Sequence, residues 1–348
     1  MNEDKNIQII FNIVKSANAK AWIVGGAIRD YLINQEIYDI DFVINIDINL
    51  FLENINKKNI KINATNIKYK TISIILNNKE YQITSFRKDL ISFGRSAFVD
   101  FTHTLYEDAK RRDFTINALY LDEKGNLIDP FDGYKDIINK KLRFIGDPVS
   151  RIEEDYLRIL RFCRFYGTLH IIDIEKNLKE KIIKKANKIS ILSNVRIRNE
   201  LHKILMVTNF ELCLSMLITL ELDKYILKKI NKSNKINKHA GFKTKDFKIV
   251  NYIKTYGLNI INSEKLDLIS IVMPHLYNLE NFDKIIKRFE LNKRKIKFLN
   301  FIKQLKNNEL IVNQNNMKKL KSKEIELYIL KLIWKYRCKI NKVNKGFF

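Results

Sequence analysis

Ala21-Trp22-Ile23-Val24-Gly25-Gly26-Ala27-Ile28-Arg29-Asp30, followed within one short helix and a turn by Asp39-Ile40-Asp41-Phe42, is the stretch that decides how this chain folds. Ala21–Val24 is a compact apolar run of strand character, Gly25-Gly26 ends it, and Ala27–Ile33 can start a short helix. Strand, glycine turn and helix N-terminus in that order offer backbone N–H groups to an anion. Asp39 and Asp41 follow on a second β-patterned run. Carboxylates at i and i+2 of a strand share one face, which leaves Ile40 and Phe42 on the other. Two hard oxygen ligands side by side suit divalent cations held against a phosphate.

Outward from that stretch, Ile7, Ile10, Phe11 and Val14 repeat with helical spacing. Further strand patterns run over Lys70–Leu76 and Tyr81–Phe86, separated by Asn77-Asn78-Lys79, which reads as a hairpin turn. Another pair is expected at Ala118–Leu121 and Leu127–Ile128. Mixed strands with flanking helices predict an α+β part with a small mixed sheet. After Pro148 no proline occurs until Pro274 and helical periodicity continues, so the remainder is expected to be all-helical. Lys228–Lys238, rich in Lys and Asn, reads as a loop between helices.

With 348 residues the chain exceeds the usual single-core size, so two or more subdomains are expected. Its formal charge of +25 points to a polyanionic partner. From Asn199 onward there are 31 Lys+Arg against 13 Asp+Glu, or +18, which leaves +7 for the first 198 residues. Arginine is distributed differently: twelve of the fifteen lie between Arg29 and Arg198. A guanidinium fork matches phosphate oxygens and base edges in a way an ammonium does not. Cys163, Cys213 and Cys338 lie far apart, against a disulfide framework or zinc knuckle, and the five histidines form no metal-ligand spacing. Met1-Asn2-Glu3-Asp4 carries acids where a secretory signal carries basic residues, and no apolar run reaches membrane-spanning length. A cytoplasmic protein without an obligate protein partner is the expectation.

Two further segments carry chemistry. Arg111-Arg112-Asp113-Phe114-Thr115-Ile116-Asn117-Ala118 places two arginines and an acid ahead of a strand. Arg112 can clamp a triphosphate there, with Asp113 or Asn117 ordering the ribose or the active-site loop, or the group can be a surface ion pair opening a helical turn with Asp113 as its cap. The downstream Asp129-Pro130-Phe131-Asp132-Gly133 reads as a structural turn that starts a helix. Glu154–Arg164 is expected as one helix, with Tyr156, Ile159, Leu160 and Cys163 as its apolar stripe and Asp155, Arg158 and Arg161 along the other side. Asp155 and Arg158 can bond each other, or they can present an acceptor and a donor to the pairing edge of C or A.

These motifs, Gly25–Asp30 with Asp39-x-Asp41, Arg111–Ala118, Leu121–Gly133 and Glu154–Arg161, occur in the order found in the class II tRNA nucleotidyltransferase and bacterial poly(A) polymerase family, which the chain resembles over roughly residues 20 to 170. The wording around Leu142–Arg164 looks most like the bacterial CCA-adding members. The resemblance implies a nucleotidyltransferase head over 1–148, a helical neck over 149–205 that recognises the nucleotide base, and a helical body and tail over 206–348 that bind tRNA.

It also implies that Asp39 and Asp41 bind Mg2+ and carry catalysis, and that Gly25, Gly26, Arg29 and Arg112 contact the nucleotide's phosphates. Asp155 and Arg158 would read the base of CTP or ATP, with Arg161 and Arg164 supporting them. The partners would be the tRNA 3′ acceptor end, CTP and ATP, and the reaction would be addition of C, C and A. An A-adding enzyme or poly(A) polymerase, sharing head and neck, is the alternative, and a non-catalytic RNA-binding protein is a further one. The chain departs from the pattern at Gln82, where many relatives have an acid, at Phe93-Gly94-Arg95 in the flexible loop, and at Asn34, where a glycine is common.

Overall fold

The computed structural model describes residues 5–55, 60–93, 96–171, 174–222 and 225–226. Two compact units divide the chain, Met1–Lys185 and Ala186–Phe348. In the first, helix α1 (Lys5–Ser16) leads to strand β1 (Ala21–Val24), helix α2 (Gly26–Leu32) and strand β2 (Asp41–Ile44). Helix α3 (Ile48–Asn54), capped by the Asp47 carboxylate accepting from Asn49 N at 2.9 Å, precedes β3 (Lys61–Asn63), β4 (Thr71–Leu76) and β5 (Lys79–Ser85). Asn77 and Asn78 take φ of 49° and 61° between β4 and β5, the left-handed pair that a two-residue hairpin turn needs.

Seven strands form the main sheet in the order β3-β4-β5-β2-β1-β8-β9, with β8 at Tyr120–Leu121 and β9 at Leu127–Ile128. Only β2 and β5 run parallel; the other neighbours are antiparallel. One face is covered by α1, whose Phe11 meets Phe42 edge-on at 5.5 Å, with Ile7, Ile10 and Val14 buried as their spacing predicts. On the opposite face Val24, Val43 and Tyr120 pack with Phe86, Ala109, Ala118 and Ile145, and Trp22 stacks on Phe86 at 5.1 Å.

A hairpin and a helix break differ from the sequence expectations. A separate hairpin, β6 (Arg87–Phe93) with β7 (Ser96–Phe101), follows β5 where no strand pair was expected. The predicted helix Glu154–Arg164 is broken: α6 (Pro148–Glu154) stops, Asp155 is extended at φ −154° and ψ 105°, and α7 (Leu157–Thr168) starts anew. The Asp155 carboxylate accepts from Leu157 N at 3.0 Å, and that local bond competes with helix continuation. Helices α4 (Leu105–Lys110), α5 (Gly133–Ile138) and α8 (Lys176–Lys185) complete the first unit.

In the second unit α9 (Asn194–Met206), which buries Ile197, Leu201 and Ile204, packs on α10 (Phe210–Thr219), which buries Phe210, Cys213 and Leu217. Beyond Pro148 the described residues hold helices and no strand, in keeping with an α+β head and a helical remainder. Lys228–Lys238 and Cys338 lie outside the described residues.

Candidate active site

The site starts at the end of β1. Gly25 takes φ +73° and ψ −117°, a conformation costly for any residue with a Cβ. A Cβ there would stand 3.3 Å from Arg112 Nη1 and 3.4 Å from Asn117 O, so the turn also brings backbone close to its neighbours. Gly25 N donates to Leu119 O at 3.0 Å. The preceding residue, Val24, pairs with Asp41 on one side and Tyr120 on the other.

Asp41 is therefore the cross-strand neighbour of the residue that enters the glycine turn. It is the first residue of β2, so Asp39 lies two residues ahead of the strand rather than on it, a difference within the fraying of strand ends. Burial still alternates: Asp39 and Asp41 are exposed, Ile40 and Phe42 buried. On its other side Asp41 pairs with Gln82, also exposed, and residues paired across a ladder point to the same face. No acid stands at that neighbouring position.

Arg29, from α2, is buried against α7. Its Nε and Nη2 donate to Asp30 at 2.9 Å, its Nη1 donates to Asn117 Oδ1 at 2.5 Å, and its guanidinium lies 4.7 Å from the Phe165 ring centroid. Burial lowers the Arg29 pKa, Asp30 opposes that, and Arg164 and Arg161 lower it further. Asn117 in turn donates through Nδ2 to Asp113 at 3.0 Å, and Asp113 accepts from Arg161 Nε at 2.5 Å. A chain of hydrogen bonds thus runs from the helix after the glycine turn to α7. For Asp113 burial raises the carboxyl, but Arg161, with Asn117 and Arg158, outweighs it and holds the group well below the usual carboxylate range.

Arg112 belongs to a second network. Asp108, fully buried on α4, accepts from Arg111 at 2.7 and 3.0 Å, from Arg112 at 3.0 and 3.3 Å, and from the Tyr120 hydroxyl at 2.8 Å. Arg112 Nη1 also donates to Asn117 O at 3.3 Å, so this arginine braces the loop behind Gly25.

The break between α6 and α7 sets the remaining residues. Arg158 is buried: its Nη1 donates to Arg151 O at 2.6 Å and to Glu154 Oε2 at 2.5 Å. Arg151 pairs with Glu154 and donates to the carbonyls of both Arg111 and Arg112. Arg164 stands 4.1 Å and Arg161 5.5 Å from the Phe165 centroid. The structure thus gathers Arg29, Arg161 and Arg164 at one ring, while Arg112 and Arg158 are turned into internal contacts and Asp155 sits at the helix break.

Sequence reasoning missed Asp108, Arg151 and Phe165. Arg151, one turn before Asp155 and among the arginines concentrated in this half of a lysine-rich chain, carried a signal; the other two did not.

Among the described residues no cluster of three His, Cys, Asp or Glu side chains is disposed to hold a metal ion. Two carboxylates without a third suit a small octahedral cation that completes its shell with water and phosphate oxygens. Among the described residues no helix is long and apolar enough to cross a membrane.

A small mixed sheet ending in a glycine turn beside paired carboxylates is the frame of a nucleotidyltransferase head. Residues 21–143 match the family model of the Poly A polymerase head domain, and residues 172–233 match that of the probable RNA and SrmB-binding site of polymerase A. The human mitochondrial CCA tRNA nucleotidyltransferase 1 is 37% identical over 236 residues, 66% of this chain and 54% of that protein. The CCA-adding enzyme of Leuconostoc citreum is 36% identical over 238 residues, 68% of this chain and 58% of that enzyme. A solved structure of a tRNA-processing enzyme in an apo form superposes with a TM-score of 0.69 at 22% identity, covering 97% of this chain and 90% of that one, a likeness of fold. The chain belongs to the class II tRNA nucleotidyltransferase and poly(A) polymerase family. The matched region spans little more than half the length of the two named relatives.

Proposed function

We propose that this protein is an enzyme that adds C, C and A to the 3′ end of tRNA from CTP and ATP without a nucleic-acid template, releasing pyrophosphate at each step. The observation that carries the reading is the register of Asp41 beside Val24, with Asp39 exposed two residues before it, at the edge where the glycine turn opens. Relatives whose names state CCA addition, over two thirds of this chain in one case, support the choice of product.

Asp39 and Asp41 would hold Mg2+. Bound there, the ion would polarise the primer 3′-hydroxyl and neutralise charge on the departing pyrophosphate. Gly25 and Gly26 let phosphates approach the backbone closely, because no Cβ intervenes. Arg29, with Arg161 and Arg164 nearby, supplies fixed positive charge for a triphosphate in a site where burial strengthens each interaction. Arg112 keeps the loop behind Gly25 in place, through Asn117 O. Asp155 accepts from the exocyclic amine of C or A and Arg158 donates to the ring, which requires Arg158 Nη1 to leave both Arg151 O and Glu154 Oε2. The +18 carried from Asn199 onward would hold the acceptor region of tRNA.

The test supplies tRNA lacking its end, tRNA-C and tRNA-CC with CTP and ATP, singly and together, and sequences the products. Three added nucleotides are expected from the shortest primer. A-only tails on generic RNA would move the protein to the A-adding or poly(A) alternative. Asp39→Ala and Asp41→Ala should each abolish incorporation while tRNA binding persists, and near-normal turnover in either would refute the metal assignment.

A further inference from the structure

Phe165 is surrounded by guanidinium groups. It is 1% exposed, meets Phe114 edge-on at 5.4 Å, and has Arg164, Arg29 and Arg161 at 4.1, 4.7 and 5.5 Å from its centroid. Arg161 and Phe165 are neighbours one turn apart on α7, and Arg164 is adjacent in sequence. Arg29 arrives from α2, more than 130 residues earlier. Three like charges repel, and a partly buried location gives that repulsion little screening. Asp30 holds Arg29 and Asp113 holds Arg161. All three guanidiniums meet the one Phe165 ring. Its negative π face attracts cations within about 6 Å, which an aliphatic side chain of equal volume does not.

We propose that Phe165 is a positioning residue that gathers Arg29 and the α7 arginines into one triphosphate-binding cluster through its π system, an inference that rests on the nucleotide reading above. At 1% exposure the ring leaves almost no surface for a substrate to touch. It ties α2, which follows the glycine turn, to α7, which follows the base-reading segment, so that phosphate and base contacts keep a fixed separation.

The test replaces Phe165 in the full-length chain with 4-fluoro-, 3,5-difluoro- and 3,4,5-trifluorophenylalanine, which drain π density with little change of volume. CTP dissociation constants are measured by equilibrium dialysis and folding is followed by circular dichroism. The same series is run at Phe162, which stacks parallel to Phe144 at 6.0 Å and has no arginine or lysine over its ring among the described residues. Affinity should fall stepwise at Phe165, about tenfold at the trifluoro substitution, with thermal midpoints nearly constant and a flat series at Phe162. A flat series at Phe165 with intact wild-type binding, or an equal fall at Phe162, overturns the proposal alone. Failure of the wild-type chain to bind CTP overturns the nucleotide reading and this inference with it.

Discussion

Asp108→Asn should destabilise the first unit by about 3–5 kcal/mol, the range found when one partner of a buried ion pair is removed. Asp108 is 0% exposed, and its two oxygens receive bonds from Arg111, Arg112 and Tyr120. Asparagine keeps the shape, but it withdraws the negative charge from two largely buried guanidiniums and turns one acceptor into a donor facing other donors. Burial by itself would raise the Asp108 carboxyl; Arg111 and Arg112, with the Tyr120 bond, reverse this and hold it well below the usual carboxylate range. A folded pKa below the unfolded one means that the contribution is complete above the ordinary carboxylate range and is lost as pH falls toward the folded value.

Wild-type protein should therefore lose stability below about pH 4 with a term that the Asn variant lacks. Urea unfolding followed by Trp22 emission in a Trp334→Phe background reports on the first unit, because Trp22 stacks on Phe86 there. A loss under about 1 kcal/mol, with the acid slope unchanged, would refute the reasoning. The exposed Glu153–Lys185 pair supplies the contrast: Glu153→Gln should leave the urea midpoint unmoved.

Gly133→Ala would place a Cβ 2.2 Å from Thr115 O and 2.7 Å from Thr115 C, both backbone, so urea unfolding should show a loss of about 3 kcal/mol or more; wild-type stability would show that the loop yields freely. Gly25→Ala meets φ +73° and should cost about 1–3 kcal/mol, with turnover falling further than the thermal midpoint accounts for, since the strain sits beside the carboxylates. Arg158→Ala should relax the choice between C and A more than it weakens triphosphate binding, measured by competition between the two nucleotides; unchanged discrimination would remove Arg158 from base reading.

Much of the head was legible in the sequence because its signals are local. The helical spacing of Ile7, Ile10, Phe11 and Val14, the run Ala21–Val24 into two glycines, and the Asn77-Asn78 turn each need only a few neighbouring residues, and each stands where it was read. The break at Asp155 was missed because apolar periodicity continues straight through it, and a single side-chain bond to Leu157 N decided the outcome. The hairpin β6–β7 follows β5 with hardly a pause, so no turn residue marked its start. Residues with a local pattern, such as Asp39 and Asp41 at i and i+2, could be singled out as candidates from the sequence; those defined by distant partners could not. Asp108 looks like any acid in a helical first turn until Tyr120 and two arginines close over it, and Phe165 looks like core until Arg29 arrives from α2.

The alternation on β2 has a consequence for folding fidelity. Asp41 and Val43 share one face of the strand, and Phe42 and Ile44 share the other, beneath α1. A slip of one residue that brought Asp41 to the place of Phe42 would set an ionised carboxylate against Phe11 and force Phe42 into the place of the smaller Val43 on the opposite, packed face, a state that gains nothing and strands a charge in oil-like surroundings. The acids proposed to handle magnesium thus also police the assembly of their own sheet, and a nascent chain that mispairs this strand is driven to let go and try again.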